Sequence, residues 1–246
     1  MVELSDLDFG RVRLEKEDRD ALAEYAAQAS WPAGFGIYQR GAPADGLFVV
    51  ARGRVVLRSR VRASRGFVPC VAGPGETFGS EGLSSTRRYA TDARADEEAE
   101  TLFLSTARFR AFVREQPQHS LALISQLLAE RASLLDRLRE LTTLSVEQRV
   151  VATLVRMARD ETFEREEGRI VLCPARYRLL CELVGATRES VSLVLGRLIH
   201  GGLVERRGQM LLVSPADQLA ERLDSGIETE LPIPAPAAEE QEQALQ

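Results

Sequence analysis

A chain of 246 residues with 44% hydrophobic and 28% charged side chains has the make-up of an ordinary globular protein, with room for one large core or two smaller ones. It holds no stretch near the roughly 20 unbroken apolar residues of a membrane span, and the start MVELSDLDFG lacks a charged-then-apolar leader; the expected compartment is the cytoplasm, with no membrane partner. The net charge of -5 speaks against a nucleic-acid partner only until it is divided. Residues 221 to 246 carry seven acids against Arg222, a net of -6, whereas residues 169 to 212 carry seven arginines against Glu182, Glu189 and Glu205, a net of +4. A local basic patch is what a nucleic-acid footprint requires. Cys70, Cys173 and Cys181 are scattered, and His119 and His200 stand far apart, so no metal-ligand spacing is present and no metal is expected.

From residue 10 to 105 short β-rich runs alternate with glycine: FGIYQRG, GLFVVARGRVVLRSRV, FVPCVAGPGETFG, RRYATDARA and EAETLFLS. Turn signals at this spacing predict a compact antiparallel barrel or roll. Ser105 is a candidate N-cap for a helix that ends before Pro117, and a long helix follows from about residue 120 to 144. Its apolar residues form a stripe wide enough for two tasks, packing on the roll and pairing with a second helix. The pairing seam is expected to include Leu127, Leu134, Leu138 and Leu141, with Arg131 on or beside it.

Ser145 and Gln148 have the spacing of a capping box, which breaks the long helix near Leu144 and starts an amphipathic helix over 146 to 159. Residues 174 to 213 then hold the most informative pattern. A helix from about Ala175 to Val184, a turn at Gly185 and a cap at Thr187 lead into a second helix. There Val191, Val194, Leu195 and Leu198 fall on one face and Arg188, Glu189, Ser192, Leu193, Gly196 and His200 on the other. Base reading in a helix-turn-helix comes from the N-terminal part of the second helix; arginine can bond guanine O6 and N7, and a carboxylate can accept from cytosine N4. LVERRGQMLLV reads as a hairpin wing whose Arg206 and Arg207 can hold phosphate. The chain divides into 1–116, 117–144, 145–215 and an acidic tail over 216–246, expected to be disordered. No nucleophile–base pair, phosphate loop or metal spacing supports an enzyme; a scaffold that binds only protein is the competing class.

The order of parts resembles the family of the cAMP receptor protein and FNR regulators, from about residue 10 to 215. The pieces that carry the likeness are GLFVVARGRV, GPGETFGSEGL, RRYATDARA, the long helix, and LVGATRESVSLVLGRL. The resemblance implies an α+β chain: an N-terminal antiparallel β-roll like a cyclic-nucleotide-binding domain, a long dimerisation helix and a C-terminal winged helix-turn-helix. It further implies a homodimeric transcription activator on a palindromic operator in double-stranded DNA, with RNA polymerase as a partner. Arg188, Glu189 and Ser192 match the family's base-reading positions; Leu193 stands where many members have an arginine. The effector pocket would be built from Gly79, Ser80, Glu81, Arg88, Tyr89, Leu134 and Leu135. Arg88 holds the phosphate-binding register, but Ser80 replaces the ribose-binding acid, Tyr89 replaces a small residue, and Leu134 and Leu135 stand where hydroxyls meet adenine. cAMP is therefore a candidate effector facing a pocket that departs from the family pattern, and an effector-independent regulator is the alternative.

Overall fold

A computed structural model describes residues 12–62, 65–85, 87–160 and 163–224. The N-terminal part opens with a short helix α1 (Lys16–Ala23), which the sequence reading passed over, and continues through β1 (Ala27–Trp31), β2 (Gly36–Tyr38), β3 (Gly46–Arg52), β4 (Val55–Arg62), β5 (Arg65–Ala72), β6 (Thr77–Phe78), β7 (Asp92–Ala95) and β8 (Ala99–Ser105). The strands form two four-stranded antiparallel sheets, in the orders β1-β8-β3-β6 and β2-β7-β4-β5.

Strand β3 shows why this sequence makes a roll with helices on its outside. Successive side chains of a strand point to opposite faces. Phe48 and Val50 enter the core between the sheets with Val55, Leu57 and Phe78, while Leu47 and Val49 join Leu22, Leu104, Phe112 and Leu123 under the helices. A strand buried on both faces reads as the unbroken apolar run LFVV. Two glycines are obligatory beside it: a Cβ on Gly46 would sit 2.3 Å from the carbonyl oxygen of Leu104, and a Cβ on Gly82 would sit 2.1 Å from the backbone nitrogen of Gly46.

Helix α2 (Thr106–Glu115) starts where Ser105 accepts a hydrogen bond from the Arg108 amide. The long helix α3 (Pro117–Thr143) buries Leu123, Gln126, Arg137 and Glu140 on one side. Its exposed large apolar residues include Leu121, Ile124, Leu128, Leu135 and Leu138. With the exposed Arg131 these follow a strict three-then-four spacing, the period of a two-helix seam. The line shares Arg131 and Leu138 with the seam expected from the sequence. Leu127 is only half-buried and turned off this line, Leu134 is exposed beside it, Leu138 lies on it, and Leu141 is half-buried against the turn at Gly185.

Ser145 completes a capping box with Gln148 at the start of α4 (Val146–Arg159). Arg149 donates to the carbonyls of Leu141 and Leu144, fastening the end of α3 to α4. The C-terminal domain continues through β9 (Arg165–Glu166), β10 (Arg169–Leu172), α5 (Pro174–Val184), α6 (Arg188–His200), β11 (Val204–Arg207), β12 (Met210–Val213) and α7 (Ala216–Asp224), with the sheet order β11-β12-β10-β9. Helix α7 overturns the expected boundary at residue 215: Leu219 is fully buried in the core built around α4 and α6. Acidic composition hid that anchoring leucine. The rest of the predicted tail, 225–246, lies outside the described residues.

The two domains touch. Leu179 of α5 packs with Val56 and Val68 on the outer face of the roll. Arg58 pairs with Glu182 at 2.9 Å, and Arg176 donates to Asp96. The guanidinium groups of Arg54 and Arg176 each lie 5.0 Å from the ring centre of Phe163.

Candidate nucleic-acid interface and effector pocket

Gly185, in the left-handed conformation with φ of 65°, ends α5, and its N–H bonds the Cys181 carbonyl. The Thr187 hydroxyl then accepts from the Ser190 amide and caps α6. Val191, Val194, Leu195 and Leu198 anchor α6 in the core, so its period leaves Arg188, Glu189, Ser192, Leu193 and Gly196 exposed together. Arg188 makes no ion pair among the described residues. The Glu189 carboxyl is held below the ordinary carboxylate range by its own backbone N–H and the Thr187 hydroxyl, so it is a ready acceptor at neutral pH. Further along, Arg197 is held by Glu147 at 2.6 Å.

Tyr177 is a participant the sequence reading missed. From α5 its hydroxyl donates to the Arg188 carbonyl at 3.5 Å, and burial followed by the Cys181 thiol raises its pKa. Its spacing, three residues before Leu180 and seven before Val184, places it on the packing face of that helix and gives no sign of a bond to α6. The wing also differs from expectation. Arg207 pairs with Glu166 at 2.5 Å and Glu205 at 3.2 Å, and Arg169 pairs with Glu205 at 2.7 Å, whereas Arg206 makes no ion pair among the described residues. Neighbouring residues of a strand face opposite ways, so only one wing arginine is left uncompensated.

At the other end of the molecule the structure gathers Gly79, Ser80, Glu81, Arg88 and Tyr89. Gly79 has φ of 69° and leads into a 3-10 turn over Ser80–Leu83. Glu81 accepts from the Ala90 amide at 3.0 Å, and Arg88 donates to the Gly41 carbonyl at 2.7 Å; the two do not pair with each other. The space above Gly79 is filled by aromatic rings: a Cβ there would lie 3.1 to 3.3 Å from Tyr38, Tyr89 and Phe48. Tyr38 stacks on Tyr89, and Phe48 stacks on Phe78. Leu134 and Leu135 do not join this cluster; they are 43% and 57% exposed on the outer side of α3. Gln126 and Glu130 of α3 face the roll, both within hydrogen-bonding range of the Thr77 hydroxyl. Burial pushes the Glu130 carboxyl up to about 7, with Glu81 and Glu76 adding to the rise and Thr77 opposing it. A ring-filled cradle bordered by carboxylates does not fit a cyclic phosphate in that position.

Among the described residues no group of three or more His, Cys, Asp or Glu could hold a metal, and no helix is long and apolar enough to cross a membrane. The cysteines are free, and burial raises the Cys181 thiol.

A roll joined by a long helix to a winged helix-turn-helix defines a two-domain DNA-binding transcription regulator. Residues 28–116 match the cyclic nucleotide-binding domain, and residues 148–222 match the Crp-like helix-turn-helix domain. The cyclic AMP receptor protein of Thermus thermophilus is 32% identical over 196 residues, covering 78% of this chain and 85% of that protein. A CRP-like cAMP-activated global transcriptional regulator of Mycobacterium tuberculosis is 24% identical over 204 residues, covering 82% and 90%. The solved structure of a c-di-GMP responsive global regulator from Xanthomonas campestris superposes with a TM-score of 0.70 at 22% identity, over 81% of this chain and 99% of the other. The chain belongs to the CRP/FNR family of transcription regulators. Its relatives are regulators and not enzymes.

Proposed function

We propose that the chain acts as a homodimer that binds a two-fold operator in double-stranded DNA and regulates transcription without needing cAMP in the roll. The observation that carries the reading is the exposed face of α6, where Arg188 is free of ion pairs and Glu189 remains an acceptor. Two such helices, brought together along Leu121, Ile124, Leu128, Leu135 and Leu138, read half-sites about one helical turn apart. Phosphate contacts then fall to Arg206 rather than to the wing as a whole. Activation through RNA polymerase, in the cytoplasm, is part of the same reading. Ring packing over Gly79 and the diversion of Arg88 to Gly41 support independence from cAMP, although the Mycobacterium tuberculosis relative is a cAMP-activated regulator.

Selection from random duplex DNA, followed by anisotropy titration with and without cAMP, tests this directly. A palindromic consensus bound equally in both conditions is the expected result; binding that requires cAMP, or no enriched sequence, defeats it.

A further inference from the structure

Leu193 is the most exposed of the large apolar side chains among the described residues, at 70%. Single exposed leucines are common and by themselves mean nothing. This one is set apart by its neighbours. It lies outside the apolar line of α3, and it does not pack with the core beneath α6, which is filled by Val191, Val194, Leu195 and Leu198. It stands one turn beyond Glu189 and next to Ser192, on the face that carries Arg188. Beyond it Gly196 offers no side chain and Arg197 is held by Glu147.

We propose that Leu193 reads the 5-methyl group of a thymine in each half-site, and so requires a T·A pair beside the positions read by Arg188 and Glu189. The inference rests on α6 entering the major groove as proposed above. Once it does so, Leu193 loses its water whichever base lies opposite. Among base edges in that groove the thymine methyl is the apolar group; the others are hydrogen-bonding donors and acceptors. Opposite thymine the side chain buries a methyl. Opposite a G·C pair it covers O6, N7 or N4 and leaves them without water or a partner, a penalty that works in the same direction as the attraction. One helical turn advances about 5.4 Å along α6 against about 3.4 Å per base step, which places the thymine one or two steps from the base read by Glu189.

The test starts from the sequences that the full-length protein selects from random DNA. The selected thymine is replaced by deoxyuridine, which removes only the methyl, and affinities are compared for the wild type, Leu193→Ala and Leu193→Arg. Circular dichroism checks that both variants keep their helix content, as an exposed position predicts. The wild type should bind the uracil operator about fourfold more weakly per half-site, the worth of one buried methyl. Leu193→Ala should not distinguish the two, and Leu193→Arg should shift the preferred base to guanine. A cytosine variant of the site should regain affinity on 5-methylation for the wild type alone. Equal wild-type affinity for thymine and uracil, or the same loss in Leu193→Ala, overturns the role of Leu193 while leaving DNA binding in place. Failure to select any sequence overturns both.

Discussion

Tyr38 lies flat on Tyr89, with ring centres 3.6 Å apart and planes 7° from parallel. The pair closes the end of the roll where Gly79 turns, and Phe48 and Phe78 continue the stack inward. A cyclic nucleotide entering there has to displace rings that are already packed. Calorimetry should therefore show no saturable binding of cAMP or cGMP to the wild-type protein. Tyr89→Ala should lower stability by about 3 to 5 kcal/mol, the range for emptying a buried aromatic site. Micromolar cAMP binding by the wild type, lost in Arg88→Ala, would sink this account.

The seam on α3 makes a prediction about assembly. Leu128→Glu with Leu135→Glu places like charges against each other at two positions of a symmetric pair. Sedimentation should show a particle of half the wild-type mass with its helix content intact, and the melting temperature should lose its dependence on protein concentration. A dimer of unchanged size would show that the contact lies elsewhere.

A pH response follows from Glu130. One hydroxyl proton on Thr77 cannot be donated to both Gln126 Oε1 and Glu130 Oε2, so a protonated Glu130 or a turned Gln126 amide has to supply the second bond. The Glu130 carboxyl, at about 7 in the folded chain, lies above its ordinary value of 4.5, chiefly through burial. A raised folded value means that its contribution to stability is fully present below about pH 4.5 and is lost as pH rises through 7. Glu130→Gln should remove that loss and be more stable than the wild type at pH 8, with the two closer at pH 5. Parallel melting profiles from pH 5 to 8 would refute it.

Base readout and phosphate contact separate by salt. Arg188→Ala and Glu189→Ala should each lose about 1 to 3 kcal/mol of discrimination at one base pair. Arg206→Ala should weaken all duplexes alike and reduce the slope of log affinity against log salt by about 1. Arg207→Ala should do less, since Glu166 and Glu205 already hold its charge. Unchanged ranking of operator variants by Arg188→Ala would remove it from direct readout.

Helix α7 predicts a stability effect far from the DNA face. Leu219→Ala should cost about 2 to 5 kcal/mol, as for other fully buried leucines, measured by urea denaturation. A value within about 0.5 kcal/mol, typical of surface sites, would place the helix outside the core.

The parts of this architecture that the sequence displays are those fixed by local chemistry. Ser145 with Gln148, Ser105, Thr187 and Gly185 each act within three or four residues, so their spacing announces them. The face of α6 follows from periodicity alone. What stayed hidden depends on distant partners. Tyr38 and Tyr89 are separated by half the roll, and no pattern says that their rings meet. Leu127 and Leu128 are equally apolar, and only packing in the folded chain leaves Leu127 half-buried and Leu128 exposed. Arg207 looked like Arg206 until Glu166 of a neighbouring hairpin was placed beside it.

The contact between α5 and the roll bears on more than packing. Leu179 seated against Val56, the Arg58–Glu182 pair, and Arg149 fastened to the last carbonyls of α3 tie the domain that carries α6 to both the roll and the long helix. In a dimer the two copies of α6 then behave like calliper jaws locked at one gap. Sliding one half-site by a single base pair moves it about 3.4 Å and rotates it about 35° around the duplex, and a locked instrument cannot follow. On the proposed dimer, operator length would thereby become part of the recognised message, set by hydrophobic and ionic contacts that never touch DNA.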